Sequence, residues 1–165
     1  MAKKRRSDIP FLKLISLAFV LEVIGAIITW ILTNSDRTWY NALITPTFSA
    51  PTWLSSEIWA VLYLFMMMAL FFAYENKGKR NLESVYVMFF LVVVLPLVKN
   101  LVLWQMQALV ASIIIQLVLL LFALFLTLEF WRISRKAGLF MLPVLAWVMY
   151  SMAVGIVLLT LNGFI

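Results

Sequence analysis

The chain has 165 residues, 65% hydrophobic and 12% charged, with 13 lysines and arginines against 7 acids for a net charge of +6. Its mean hydropathy is +1.07, far from the roughly 45–50% apolar and about 25% charged profile of soluble domains, so it is an integral membrane protein. It contains neither cysteine nor histidine, which excludes disulfides, thiolate chemistry, histidine-ligated metal or haem, and the commonest general base.

Five apolar segments reach the ~20 residues that a helix needs to cross the ~30 Å hydrocarbon core, at about 10–33, 54–74, 83–103, 108–129 and 138–161. No Pro/Gly/Ser-rich linker or internal repeat divides them, and no segment alternates strictly as a β-barrel strand would. Residues 1–165 therefore read as a single all-α membrane domain, a bundle of five transmembrane helices. The first span follows the basic run Lys3, Lys4, Arg5, Arg6. Its apolar stretch from Leu14 to Leu32 is longer than the ~7–15 residues of a signal-peptide core, so it reads as a retained helix. Near its middle stands Glu22. A carboxylate at that depth costs about 2.5–3.5 kcal/mol and is by default a functional candidate, the alternative being a protonated packing residue.

Residues 34–53 read as a lid loop, in which "TPTFSAPTW" at 45–53, with Pro46 and Pro51, reads as an ordered, non-helical segment on the membrane surface. The second span carries Trp59, Tyr63, Met66 and Met67 at helical spacing, one aromatic and thioether face. Lys99 lies about 7 Å from the outer end of the third span, at the depth of Glu57 on the second, so a Glu57–Lys99 pair or a snorkelling Lys99 is expected. The break between the third and fourth spans, "WQMQ" at 104–107, is faint; that between the fourth and fifth, "WRISRKAG" at 131–138, is strongly basic. Gly25 and Gly155 suit close helix approach, and Glu129 and Arg132 form an i, i+3 pair.

Charge sets the orientation. Eleven of the thirteen basic residues fall on one side, with only Arg37 and Lys99 on the other. The positive-inside rule then puts the N-terminus in the cytoplasm and the C-terminus outside. The net charge is a topology signal, and no nucleic-acid partner is implied.

Trp39, Tyr40, Trp53, Trp59 and Tyr63 crowd a short stretch. They are open to two readings. One is an interfacial aromatic belt, which suits Trp30 and Trp104 at helix ends. The other is a lid and wall around a cavity for a flat apolar ligand, which suits Trp59 and Tyr63 inside their span.

The pattern Trp39, Tyr40, Leu43, Pro46, Phe48, Pro51, Trp53, then Trp59, Leu62, Tyr63, Met66, with "LPVLAWVMYSMAVGIVLLTLN" at 142–162, resembles the translocator protein family, the tryptophan-rich sensory proteins of bacteria and archaea. The resemblance implies a five-helix bundle in a prokaryotic cell membrane, often a homodimer, with a pocket under the first loop for porphyrins or sterol-like molecules. It implies Trp39, Tyr40, Trp53, Trp59, Tyr63 and Trp147 as ligand-binding residues, with Ser151 keeping the Trp147 face open. Light-dependent breakdown of protoporphyrin, with tryptophan implicated, is known among its bacterial members. The family's paired prolines read Ala50-Pro51 here, its Leu-Pro-Tyr ends in Val144, and Gly155 stands where it has asparagine after Trp147. With Pro96 set against the proline of its third helix, Leu91 and Val94 occupy the asparagine and tryptophan positions, so polar groups are fewer.

These readings combine into a membrane binder or sensor of an apolar, planar small molecule, with the ligand between the first loop and spans one, two and five. No cofactor is required and no catalytic residue is identified, since nothing in the chain pairs a nucleophile with a base or gathers a metal site. The rival reading is a proton-coupled transporter of small molecules in which Glu22 exchanges proton and substrate.

Overall fold

The structure is a computed structural model that describes residues 38–76, 78 and 82–163 and, in the first expected span, Ser16, Phe19, Val20, Val23, Ile24, Gly25, Ile27, Ile28, Trp30 and Ile31. All ten of those first-span residues are helical. Beyond them run a one-turn helix α1 (Thr38–Asn41) and four long helices, α2 (Thr52–Glu75), α3 (Glu83–Trp104), α4 (Leu109–Ile133) and α5 (Arg135–Leu161). Each long helix is apolar and long enough to cross a membrane. The fold of the described residues is thus an all-helical membrane bundle, the helix being the element that pairs most of a span's backbone groups internally; Pro96 in α3 and Pro143 in α5 each remove one such bond.

Packing follows chain order for α3, α4 and α5: α3 lies against α4, and α4 against α5, while α2 packs back onto α5. The main core forms where these helices meet. From α2 it takes a stripe at helical spacing, Trp59, Tyr63, Met66, Leu70 and Ala73; α5 adds Met141, Val144 and Val148, and α4 adds Leu119, Leu126 and Phe130. Phe140 of α5 stacks on Phe72 at 5.4 Å and meets Phe65 at 5.8 Å, tying α2 to α5 through rings. The outer faces carry exposed leucines, isoleucines and phenylalanines, such as Ile114, Leu121, Phe125 and Leu128 on α4. In water that surface would be costly; here it is the face that meets lipid.

The two uncertain breaks resolve differently. The faint one is a real turn: α3 stops at Trp104 and α4 starts at Leu109, with Gln107 at φ 52° reversing the chain. The strongly basic one shrinks to a single extended residue, Ser134, at φ −154° and ψ 128°. Arg132, Arg135 and Lys136 are helical, because a charged side chain outside the hydrocarbon can continue a helix as readily as end it. Arg132 donates to Glu129 at 2.6 Å as expected. So short a turn needs close approach, and Gly138 supplies it: a methyl placed there would sit 2.9 Å from Trp131 Cα, backbone that cannot move aside. Gly138→Ala should lower stability by about 1–3 kcal/mol through overpacking, seen as a lower thermal midpoint in detergent. Elsewhere Gly155 backs onto Ile113 and Gly25 onto Leu97, a methyl reaching 3.1 and 3.0 Å respectively; the second contact sets the first span against α3.

The expected Glu57–Lys99 pair does not form. Glu57 is exposed on α2, which packs on α5 rather than on α3. The two residues match in depth but not in direction around the bundle. Glu129–Arg132 is the ion pair seen among the described residues.

Candidate functional site

Residues 38–50 close one end of the bundle. Trp39, Tyr40 and Leu43 press onto a small cluster of Leu103, Leu109, Ile113, Leu158 and Leu159 from α3, α4 and α5. The prolines keep the remainder, an irregular segment with a turn at Thr47 and Phe48, from coiling, and several of its backbone groups find partners on Tyr150 and Asn162. The Tyr150 hydroxyl accepts from the Ala50 amide at 2.7 Å and donates to the Phe48 carbonyl at 2.9 Å. At the end of α5, Asn162 Oδ1 accepts from the Ile44 amide at 2.9 Å, and its Nδ2 donates to the Ile44 carbonyl at 3.0 Å and the Leu158 carbonyl at 2.8 Å. Two side chains of one helix thus latch the lid at two points, each by a donor and an acceptor together.

Beneath the latch is a cavity of about 120 Å³ between the lid, the end of α3, the first half of α4 and the second half of α5. Four rings stand around it: Tyr40, Trp104, Trp147 and Tyr150. They pair as Tyr40 on Trp104 at 5.0 Å and Trp147 on Tyr150 at 5.1 Å. Lys99, Ser112, Gln116, Ser151 and Gly155 are also in the wall. Ser112 and Gln116 are each 3% exposed. The Ser112 hydroxyl is spent on the Leu109 carbonyl at 2.7 Å. Gln116 Nε2 donates to the Val148 carbonyl at 3.0 Å. A carbonyl can only accept, so this bond fixes which way round the amide lies. Gln116 Oε1 and the Trp147 indole Nε1 are buried without partners, and such groups are costly unless something bonds them. Burial first, then the nearby Tyr150, holds the Tyr40 hydroxyl above its usual value of 10.0. A raised acid favours the neutral phenol in the fold, so its support for the closed lid is complete below pH 10 and is lost as pH rises past the raised value.

The sequence-predicted residues divide. Tyr40, Trp147 and Ser151 come together around the cavity. Trp39 stands beside Tyr40 at 6.4 Å and packs the lid onto its cluster without lining the cavity. Trp59 and Tyr63, 6% and 4% exposed, stack on each other at 5.5 Å inside the main core. Of the spans expected around the cavity, the fifth lines it, while the ring face of α2 is used in packing onto α5; among the described residues the other walls come from α3 and α4. Trp53 falls in the first turn of α2, but its side chain lies outside the described part, as does Glu22 altogether. Trp104 was expected in the aromatic belt and is a wall residue; Trp30, 59% exposed, stands as a belt residue would. Sequence reading missed Tyr150, Asn162, Gln116 and Lys99 as parts of the site. One available signal was the spacing of Trp147, Tyr150 and Ser151, which places all three on one helix face.

Known proteins agree with this architecture. The model of the TspO/MBR family matches residues 16–160. A tryptophan-rich protein TspO of Archaeoglobus fulgidus is 28% identical over 152 residues, covering 92% of this chain and 98% of that protein. One of the same name from Chlorobaculum tepidum is 29% identical over 132 residues, covering 79% and 84%. With a family match spanning most of its length, a bundle of membrane helices and a tryptophan-lined cavity under its first loop, this chain belongs to the TspO/MBR family.

Proposed function

We propose that this protein is a membrane receptor or sensor that binds an apolar, planar small molecule in the cavity under residues 38–50. The observation that carries the reading is the meeting of Tyr40, Trp104, Trp147 and Tyr150 around one cavity closed by a hydrogen-bonded lid. Rings with a polar handle offer a flat ligand both stacking surface and orientation. A tetrapyrrole such as protoporphyrin, or a sterol-like molecule, is the ligand class that the family resemblance suggests. At about 120 Å³ the partly enclosed cavity is smaller than the roughly 300–1,000 Å³ of drug-sized ligand sites, so such a ligand fits only with movement of the lid, and binding and lid opening are coupled. On the charge asymmetry, the lid faces outside and the N-terminus the cytoplasm; a homodimer, as in the family, would bury part of the exposed helix faces. The protein binds rather than catalyses; any breakdown of bound porphyrin would be photochemistry at Trp147.

Titration of the protein in detergent with protoporphyrin IX, read by quenching of intrinsic tryptophan fluorescence, tests this. Saturable quenching at micromolar ligand, with the affinity several-fold weaker in Trp147→Phe and unchanged in Trp59→Phe, is the expected result. Linear quenching indifferent to both changes would defeat the reading. It would turn attention to Glu22 and proton-coupled transport, for which loss of pH-gradient-driven uptake in Glu22→Gln vesicles is the corresponding test.

A further inference from the structure

Lys99 is the feature of the cavity that an apolar ligand leaves unexplained. It lies five residues before the end of α3 at Trp104, about 7.5 Å of helix inside the span, and forms part of the wall. A lysine at such a position is ordinarily paired or snorkels to the headgroups. No carboxylate among the described residues pairs with it. Glu57 and Glu75 are exposed on α2, the latter at its last residue, Glu83 begins α3 at its other end, and Glu129 is bound to Arg132. The remaining polar groups of the wall are neutral: the hydroxyls of Tyr40, Ser49, Ser112, Tyr150 and Ser151 and the amide of Gln116. A second observation points the same way. The Trp147 indole N–H, on another side of the wall, is a buried donor with no acceptor, and an indole can do nothing but donate.

A cation and an orphan donor in the wall of a partly enclosed, ring-lined cavity ask for an acceptor that carries negative charge. Resting on the proposed function, we infer that the ligand is an anionic amphiphile: an apolar body held by the rings, and an anionic oxygen group, such as a carboxylate, that accepts from Lys99 and from the Trp147 indole. A charge-assisted hydrogen bond in such a water-poor place is about twice as strong as a neutral one. Lys99 then selects among apolar molecules of similar shape, which the rings alone discriminate weakly. Gln116, held by the Val148 carbonyl, presents its Oε1 as a buried acceptor without a partner, a position for a hydroxyl or a water beside the anion.

The test uses 1-pyrenebutyric acid and its methyl ester, which share a flat apolar body and differ in charge, with the full chain in phosphatidylcholine nanodiscs and energy transfer from tryptophan as the signal. The acid should bind at least about tenfold more tightly than the ester, Lys99→Met should bring the two together, and Lys99→Arg should restore most of the difference. Equal, saturable binding of acid and ester to the unaltered protein would overturn the anionic head while leaving an apolar pocket in place. Saturable binding of neither would overturn the pocket reading and this inference with it. A repeat in nanodiscs with half phosphatidylglycerol identifies the source of the anion. If the headgroup of a bilayer lipid occupies the site, the acid's advantage falls by several-fold; if a free carboxylate does, the advantage is unchanged. Either result supports the anionic contact.

Discussion

Tyr150→Phe should open the lid without unfolding the bundle. The hydroxyl removed is both the acceptor for the Ala50 amide and the donor to the Phe48 carbonyl, and the phenyl ring that remains still packs on Trp147. Two hydrogen bonds are lost, one part-buried and one exposed, which at about 0.5–1 kcal/mol each costs about 1–2 kcal/mol, or a roughly five- to thirtyfold rise in the open fraction of the lid. Hydrogen exchange at Ala50 should accelerate by that factor, while amides in the middle of α4 and α5 keep their protection. Asn162→Ala should act on the other point of the latch, accelerating exchange at Ile44, whose amide it holds at 2.9 Å. Because the two side chains hold one lid from one helix, the double variant should exceed the sum of the singles. Unchanged exchange at Ala50 in Tyr150→Phe would mean that apolar packing of Trp39, Tyr40 and Leu43 alone keeps the lid shut.

The second large effect is loss of binding on filling the cavity. Ser151 is half-buried in the wall beside Trp147, two turns of α5 before Leu158, on which the lid packs. Ser151→Phe would place a ring in a space of about 120 Å³, leaving no room for a ligand head. Protoporphyrin affinity should fall by more than about thirtyfold, with a stability change no larger than the 1–3 kcal/mol of a typical overpacked site. Ser151→Ala, which removes only the hydroxyl, should bind within about threefold of the unaltered protein. Equal binding by Ser151→Phe would place the ligand elsewhere.

The spans of α2 to α5 are legible in the sequence because hydropathy acts residue by residue, with no need to know what packs on what. Direction around the bundle is not legible in that way. Trp59 and Tyr63 look like pocket residues because in a chain this apolar an aromatic face is the same signal whether it meets a neighbouring helix or a cavity. Lys99 and Glu57 match in depth, yet they sit on helices with different neighbours. The latch is hidden for another reason. Tyr150 reaches residues 100 and 102 positions away, and Asn162 reaches Ile44 across 118, so no local pattern reports them. The junction of α4 and α5 hides behind its charge. Arg132, Arg135 and Lys136 read as a loop, while the contact of Gly138 with Trp131 that makes a one-residue turn feasible lies seven positions apart, on two helices that sequence reading does not yet know to be neighbours.

Ring cavity, latch and ligand are linked in one claim: a planar apolar molecule occupies the space beneath residues 38–50 and changes how that lid moves. The measurement that tests it most directly is hydrogen exchange of the full chain in nanodiscs with and without saturating protoporphyrin IX. Exchange at Ile44, Ser49 and Ala50 that changes several-fold on binding, with the second half of α5 changing alongside and the helix ends farthest from the lid unaffected, is the predicted result. Saturable tryptophan quenching with no change in lid exchange would contradict the account, because the ligand would then be bound outside the cavity that the lid closes.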